Sequence, residues 1–159
     1  MPVPTPVPKP VTVRLKRLPN GVAKPAVPLP VRMTEHAAGF DVSAAVSGPT
    51  AIQPGEIKLI ACGFAMAVPP GYEAQVRPRS GLSSKHGVTM INAPGTIDSD
   101  YRGEVHVPLI NHGKLPFTIE RGMRIAQMLI LPVPMVELKE VDELDETQRG
   151  KGGFGHTGH

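Results

Sequence analysis

The residues best able to do chemistry fall in short, glycine-marked stretches. Gly95-Thr96-Ile97-Asp98-Ser99-Asp100-Tyr101-Arg102-Gly103 sets two carboxylates beside a tyrosine. A carboxylate can orient and deprotonate a water for in-line attack on phosphorus, help worth roughly 10² to 10⁴ in rate. Positioning and charge neutralisation must supply most of the remainder. On spacing alone Asp98 and Asp100 suit that task equally, and either could be a plain turn carboxylate. Arg77-Pro78-Arg79-Ser80-Gly81-Leu82 puts a cation, a hydroxyl and a bare glycine where a helix would begin. Unpaired N–H groups and the positive end of the helix dipole suit phosphate there, and Gly81 lets the backbone approach closely. An ordinary cap and turn would use the same residues.

Three further stretches accompany these. Asp41 stands in Ala38-Gly39-Phe40-Asp41-Val42, a small-residue turn. Arg124-Ile125-Ala126-Gln127 reads as one end of a buried strand. Gln127 can hydrogen-bond a phosphate oxygen or a metal-bound water. Near the C-terminus, Gly150, Gly152 and Gly155 match a dinucleotide-binding fingerprint as a bare pattern. That match fails in context, because only four residues follow Gly155 and no helix can form. P-loop spacing is absent. His156 and His159 lack other ligands of convincing spacing, so a zinc site is not expected.

In this order, and with the tail Arg149-Gly150-Lys151-Gly152-Gly153-Phe154-Gly155-His156-Thr157-Gly158, the five stretches resemble the five motifs of the trimeric dUTPase family. The resemblance runs from about residue 11 onward. It implies an all-β, jelly-roll-like sandwich or barrel with one short helix. It implies hydrolysis of dUTP to dUMP and pyrophosphate by water attack on the α-phosphate, which limits uracil in DNA and supplies dUMP for dTTP synthesis. It implies Mg²⁺ as cofactor and a homotrimer whose active sites are each built from more than one subunit. Asp98 becomes the general base, and Arg102 stays a structural ion-pair partner. Arg79, Ser80 and Gly81 hold phosphates, and Gln127 supports them, while Arg124 stays structural. Asp41 takes a structural or water-mediated role towards Mg²⁺, which is held mainly by the substrate phosphates. Val42 stands where the family usually has Leu, a change of packing only, and His156 stands where many members have Ser.

The resemblance also assigns the nucleoside. Asn92 goes to uracil, Thr96 and Ile97 lie along the nucleoside, and Tyr101 covers the deoxyribose face, where a 2′-hydroxyl would clash. His106 is placed near the same pocket, although a strand histidine with a local partner is an equal reading. Uracil presents O4 as acceptor and N3–H as donor, and cytosine presents the reverse. A fixed backbone pattern would therefore reject cytosine, since a mismatched buried polar group is costly. The tail becomes a lid. Arg149 supplies charge, Phe154 stacks on uracil, and Gly155 and Thr157 contact the phosphates; closure excludes water.

These residues need a scaffold that 159 residues can build as one domain. Hydrophobic residues make up 40% but aromatics only 4%, so aliphatic side chains must fill the core. Seventeen Gly and nineteen Pro argue for short strands and many turns. Period-2 alternation or short apolar runs predict strands at 11–16, 57–61, 64–68, 72–76, 88–91, 104–110, 117–119 and 126–132. A helix is expected over Ser80–His86, capped by Ser80 and closed by Gly87. Asn92–Tyr101 reads as a β-hairpin whose tip includes Ala93-Pro94-Gly95. The segment from Glu137 to Glu146 reads as a linker or a solvated strand edge.

The organisation expected is a proline-rich arm over 1–10, a β domain over 11–148 and a glycine-rich lid over 149–159. The formal charge of +3 comes without a long basic stripe, so direct nucleic-acid binding is not expected. No run is long and apolar enough to span a membrane. The single cysteine, Cys62, cannot form an intramolecular disulfide and reads as a small buried residue. With no signal peptide evident, a cytoplasmic setting fits. Two rival functions remain. A dCTP deaminase on the same fold would need a glutamate in the base pocket, and none lies within Asn92–Tyr101. A regulatory binding protein would use the dUTP-bound state or the proline arm to recruit a partner.

Overall fold

The structure, a computed structural model, describes residues 10–153. Two four-stranded antiparallel sheets face each other. The first has the order β1 (Arg14–Arg17), β4 (Ile57–Ala67), β8 (Glu104–Asn111), β6 (Val88–Met90). The second has the order β2 (Phe40–Ser43), β10 (Arg124–Pro132), β5 (Tyr72–Pro78), β7 (Gly95–Ile97). A two-stranded ribbon, β3 (Thr50–Ile52) with β9 (Phe117–Ile119), stands beside them. This is the expected all-β, jelly-roll-like sandwich.

The core follows from the alternation. In β8, Val105, Val107 and Leu109 point inward, and β4 adds Ile60, Cys62, Phe64 and Met66. From the other sheet come Val42, Ala74, Val76, Ala126 and Met128. Phe64 is the one aromatic among the largest fully buried side chains, and each buried Val, Leu or Ile contributes about 1.5–3 kcal/mol relative to exposure. Cys62 is buried as expected, and burial pushes its thiol up to about 12.

Several expectations need correction. The two strands foreseen at 57–61 and 64–68 are one strand, β4, whose register with β8 shifts between Ala61 and Ala65. Gly63, at φ 74°, supplies the irregularity within a continuous strand. The first strand begins at Arg14 rather than Val11. Short β2, β3 and β7, and a four-residue helix α1 (Pro19–Val22), were not foreseen, so the described chain has two short helices rather than one. Asn92–Tyr101 is not a paired hairpin. β6 belongs to the first sheet and β7 to the second, so the chain crosses the sandwich between them. The helix α2 (Ser80–His86) has the expected span and closes on left-handed Gly87, but Arg79 is its N-cap and no side chain caps it. Glu137–Glu146 is exposed and forms no strand. The proline arm falls outside the described residues except for Pro10.

Candidate active site

The turn after β7 and the start of β8 enclose a pocket of about 180 Å³ lined by Thr96, Ile97, Asp98, Tyr101, Glu104, Val105 and His106. All five positions expected by resemblance between Thr96 and His106 (Thr96, Ile97, Asp98, Tyr101 and His106) thus line one pocket, carried by the end of β7, the turn after it and the start of β8. Its shape is enforced locally. Tyr101 N–H donates to the Asp98 carbonyl at 3.2 Å. Arg102 Nη1 donates to the carbonyls of Ser99 and Tyr101 at 2.7 and 2.8 Å. Arg102 is therefore structural as expected, but it staples the main chain rather than pairing with an acid. Tyr101 Oη donates to the Glu104 carbonyl at 2.9 Å.

Geometry separates the two aspartates that spacing left equal. Asp98 lines the pocket, and Asp100 does not. Asp100 faces a neighbouring hollow with Tyr72, Glu73 and Met135, a hollow that Asp98 also reaches. Glu104 was not foreseen in the pocket. Its carboxylate is already committed, since Oε1 accepts from Gly63 N–H at 2.9 Å and from Asn20 Nδ2 at 2.6 Å. His106 lies in the pocket and also has its local partner, with Nδ1 3.1 Å from the Glu104 carbonyl. Asn92 does not line the pocket. Its amide lies over Gly95, where an added Cβ would sit 3.2 Å from Nδ2.

A second pocket, of about 270 Å³, is lined by Met33, Asp41, Arg79, Ser80, Gly81, Arg124 and Gln127. Register explains the grouping, because Gln127 on β10 stands between Asp41 on β2 and Arg77 on β5. Asp41 is held by two guanidinium groups. Arg124 Nη1 lies 2.9 Å and Arg79 Nη2 3.6 Å from its Oδ2. Arg79 Nη1 also donates to the Arg124 carbonyl at 3.0 Å, and Gln127 Nε2 donates to the Pro78 carbonyl at 3.1 Å. Gly39 keeps room for Gln127, since a Cβ there would lie 3.0 Å from Oε1. Two cations, a hydroxyl and a side-chain amide suit a polyanion. Arg124, read from sequence as structural alone, lines this pocket with its side chain 42% exposed.

The donor set also bears on a divalent metal. Both ion pairs of Asp41 end on one oxygen, Oδ2. Among the described residues no group of three or more His, Cys, Asp or Glu could hold an ion. One carboxylate beside a pocket that suits a polyanion fits Mg²⁺, which keeps its waters and is bound by one or two carboxylates plus substrate phosphates.

Within one chain the two pockets do not meet. Ile97 pairs with Ala74 on β5, whereas Asp41 aligns through Gln127 with Arg77. Three strand spacings and about four residues of rise put Asp98 and Asp41 about 20 Å apart. Arg149 lines neither pocket; it sits in an exposed turn, donating to the Gly152 carbonyl at 2.9 Å. Phe154, Gly155 and Thr157, with His156, lie outside the described residues.

Comparison with known proteins points to one family. A family model described as dUTPase matches residues 26–158. The dUTPase of Staphylococcus bacteriophage 80alpha with dUPNHPP matches at 28% identity and TM-score 0.81, covering 93% of this chain and 99% of that one. A mutant of that enzyme with dUpNHpp matches at 27% identity and the same TM-score, 0.81, with coverage of 93% and 99%. A mutant dUTPase from phage phi11 of S. aureus, described for its coordination of a structural Mg(II) ion, matches at 26% identity and TM-score 0.71. It covers 83% of this chain and 97% of that one. The fold, the two pockets and the match over residues 26–158 lead to one conclusion: this chain belongs to the dUTPase family.

Proposed function

We propose that the chain hydrolyses dUTP to dUMP and pyrophosphate in an active site completed by a second copy of itself, with Asp98 as the general base. The observation that carries the reading is Asp98 in the lining of the first pocket, together with Thr96, Ile97 and Tyr101. The uracil enters that pocket, with the backbone of β7 and His106 reading its edge and Asn92 backing β7 at Gly95. Tyr101 lies under the deoxyribose. Asp98 then orients a water towards the α-phosphorus and accepts its proton as the P–O bond forms, and pyrophosphate leaves.

Arg79, Ser80, Gly81 and Gln127 hold the triphosphate from the neighbouring copy. Asp41 orients the two guanidinium groups and is the carboxylate that would help hold a hydrated Mg²⁺. Mg²⁺, when bound with the triphosphate, would supply charge neutralisation and Lewis-acid polarisation of the phosphates. The tail residues Arg149, Phe154, Gly155 and Thr157 close over the nucleotide.

Separation of the two half-sites favours assembly from several copies, and dUTPases act as trimers. The outer face of the first sheet is suited to contact between copies: Ile57, Leu59 and Ile91 are 52%, 65% and 50% exposed. No helix among the described residues is long and apolar enough to cross a membrane; a cytoplasmic setting belongs to the proposal.

The test is a nucleotide panel with Mg²⁺ in ¹⁸O water. The reading expects dUMP and pyrophosphate from dUTP, with the label in dUMP, and little product from dCTP, dTTP or UTP. Ammonia release from dCTP would favour the deaminase reading, and label in pyrophosphate would overturn attack at the α-phosphorus.

A further inference from the structure

We infer that Gly103 is a positioning residue that fixes the Tyr101 phenol and, through it, sets discrimination against a ribose 2′-hydroxyl. The inference rests on the proposed placement of Tyr101 under the deoxyribose. Tyr101 is not packed in the core; it is 45% exposed. Two things hold its ring. The phenol donates to the Glu104 carbonyl at 2.9 Å, and the ring lies against the bare Cα of Gly103. A Cβ added at Gly103 would stand 2.6 Å from Cζ and 3.0 Å from Cε2, and closer still to Oη. No side chain other than hydrogen fits while the phenol stays where it is.

What would yield is decided by the surroundings. The backbone before Gly103 is stapled by Arg102, whose guanidinium holds the Ser99 and Tyr101 carbonyls. The backbone after it is tied down through the Glu104 carboxylate to Gly63 and Asn20. Gly103 is not among the glycines with positive φ, so alanine there brings no backbone strain of its own. The atoms in the way are the far end of one exposed side chain. The phenol must therefore swing aside while the loop and the fold remain. Moving it removes the wall that a 2′-hydroxyl would strike and costs the sugar its platform.

The experiment compares kcat/KM for UTP and dUTP in Gly103→Ala, Tyr101→Ala and Tyr101→Phe. Gly103→Ala is expected to raise the UTP/dUTP ratio about ten-fold, the low end of the roughly 10- to 200-fold by which a pocket sorts one small group by shape, with an unchanged melting temperature. Tyr101→Ala is expected to raise it at least as much. Tyr101→Phe loses only the bond to the Glu104 carbonyl and is expected to raise it less. If Tyr101→Ala raises the ratio and Gly103→Ala does not, the role of Gly103 is wrong and the placement of Tyr101 stands. If neither does, the placement of Tyr101 falls. A Gly103→Ala chain that fails to fold also overturns the inference, because the phenol was to give way and not the backbone.

Discussion

Asp98 and Asp41 stand at opposite edges of the same sheet, one just beyond β7 and the other on β2, with β5 and β10 between them. Separated by about 20 Å on strand geometry, they cannot serve one α-phosphate from within a single chain. Mixing two inactive variants, Asp98→Asn and Arg79→Ala, under conditions that exchange subunits is therefore expected to restore activity. Each mixed assembly can contain sites with an intact base from one copy and an intact phosphate clamp from another. Absence of recovery despite demonstrated exchange would contradict a shared site.

Arg124 lines the second pocket beside Arg79, its Nη1 2.9 Å from Asp41 Oδ2 and its side chain 42% exposed, and the proposed function brings the triphosphate there. Arg124→Ala is expected to raise KM for dUTP about ten-fold while kcat falls less, since a charged hydrogen bond lost from substrate binding is worth about 1.5–3 kcal/mol. Arg124→Lys should recover part of the loss as a point charge without the planar fork. Steady-state kinetics decide it, and an unchanged KM in the alanine variant would return Arg124 to a purely structural role.

At the α1–β4 crossing the demand is steric. Gly63 has φ 74°, and a Cβ there would lie 2.5 Å from Gly21 Cα and 2.9 Å from Ala45 Cβ. Gly63→Ala meets both a left-handed backbone and another main chain. A loss of about 3 kcal/mol is expected, read from denaturant midpoints. A variant as stable as the parent would show that β4 can shift its bulge freely.

Cys62 makes a pH prediction. Burial, with the Glu104 carboxylate second, raises its thiol from 9.0 to about 12. The unfolded chain loses this proton first, so above pH 9 the unfolded state binds fewer protons than the folded one, and stability falls as pH rises towards 12. Cys62→Ser is expected to remove that part of the slope in urea melts between pH 8.5 and about 10.5. At pH 8 the native thiol should resist iodoacetamide and react only on unfolding. Rapid labelling of the native protein would contradict its burial.

The way these features were legible is instructive. Long alternating runs such as Glu104–Ile110 announced their strands, because one face must be buried. Phe40–Ser43, Thr50–Ile52 and Gly95–Ile97 did not, since three or four residues carry too little period and their pairing comes from distant partners. The hairpin expected at Asn92–Tyr101 failed for a related reason: turn residues mark a reversal of the chain but not which sheet the next strand joins. Motif order brought Asp98, Thr96, Ile97, Tyr101 and His106 to one pocket and Arg79, Ser80, Gly81, Asp41 and Gln127 to another. Spacing left Asp98 and Asp100 equal; the family resemblance selected Asp98, and the pocket lining, which includes Asp98 and not Asp100, agrees with that choice. Arg124 read as structural alone because it shares Asp41 with Arg79 across strands, a relation that spacing along the chain does not display.

The most direct test of the central claim is turnover by Asp98→Asn set beside its affinity for dUTP. Asparagine keeps the shape of the side chain and removes its basicity. The account predicts kcat lower by about 10² to 10⁴, with dUTP binding by calorimetry close to that of the parent. Near-normal turnover in Asp98→Asn would contradict the assignment of the base and the mechanism built upon it.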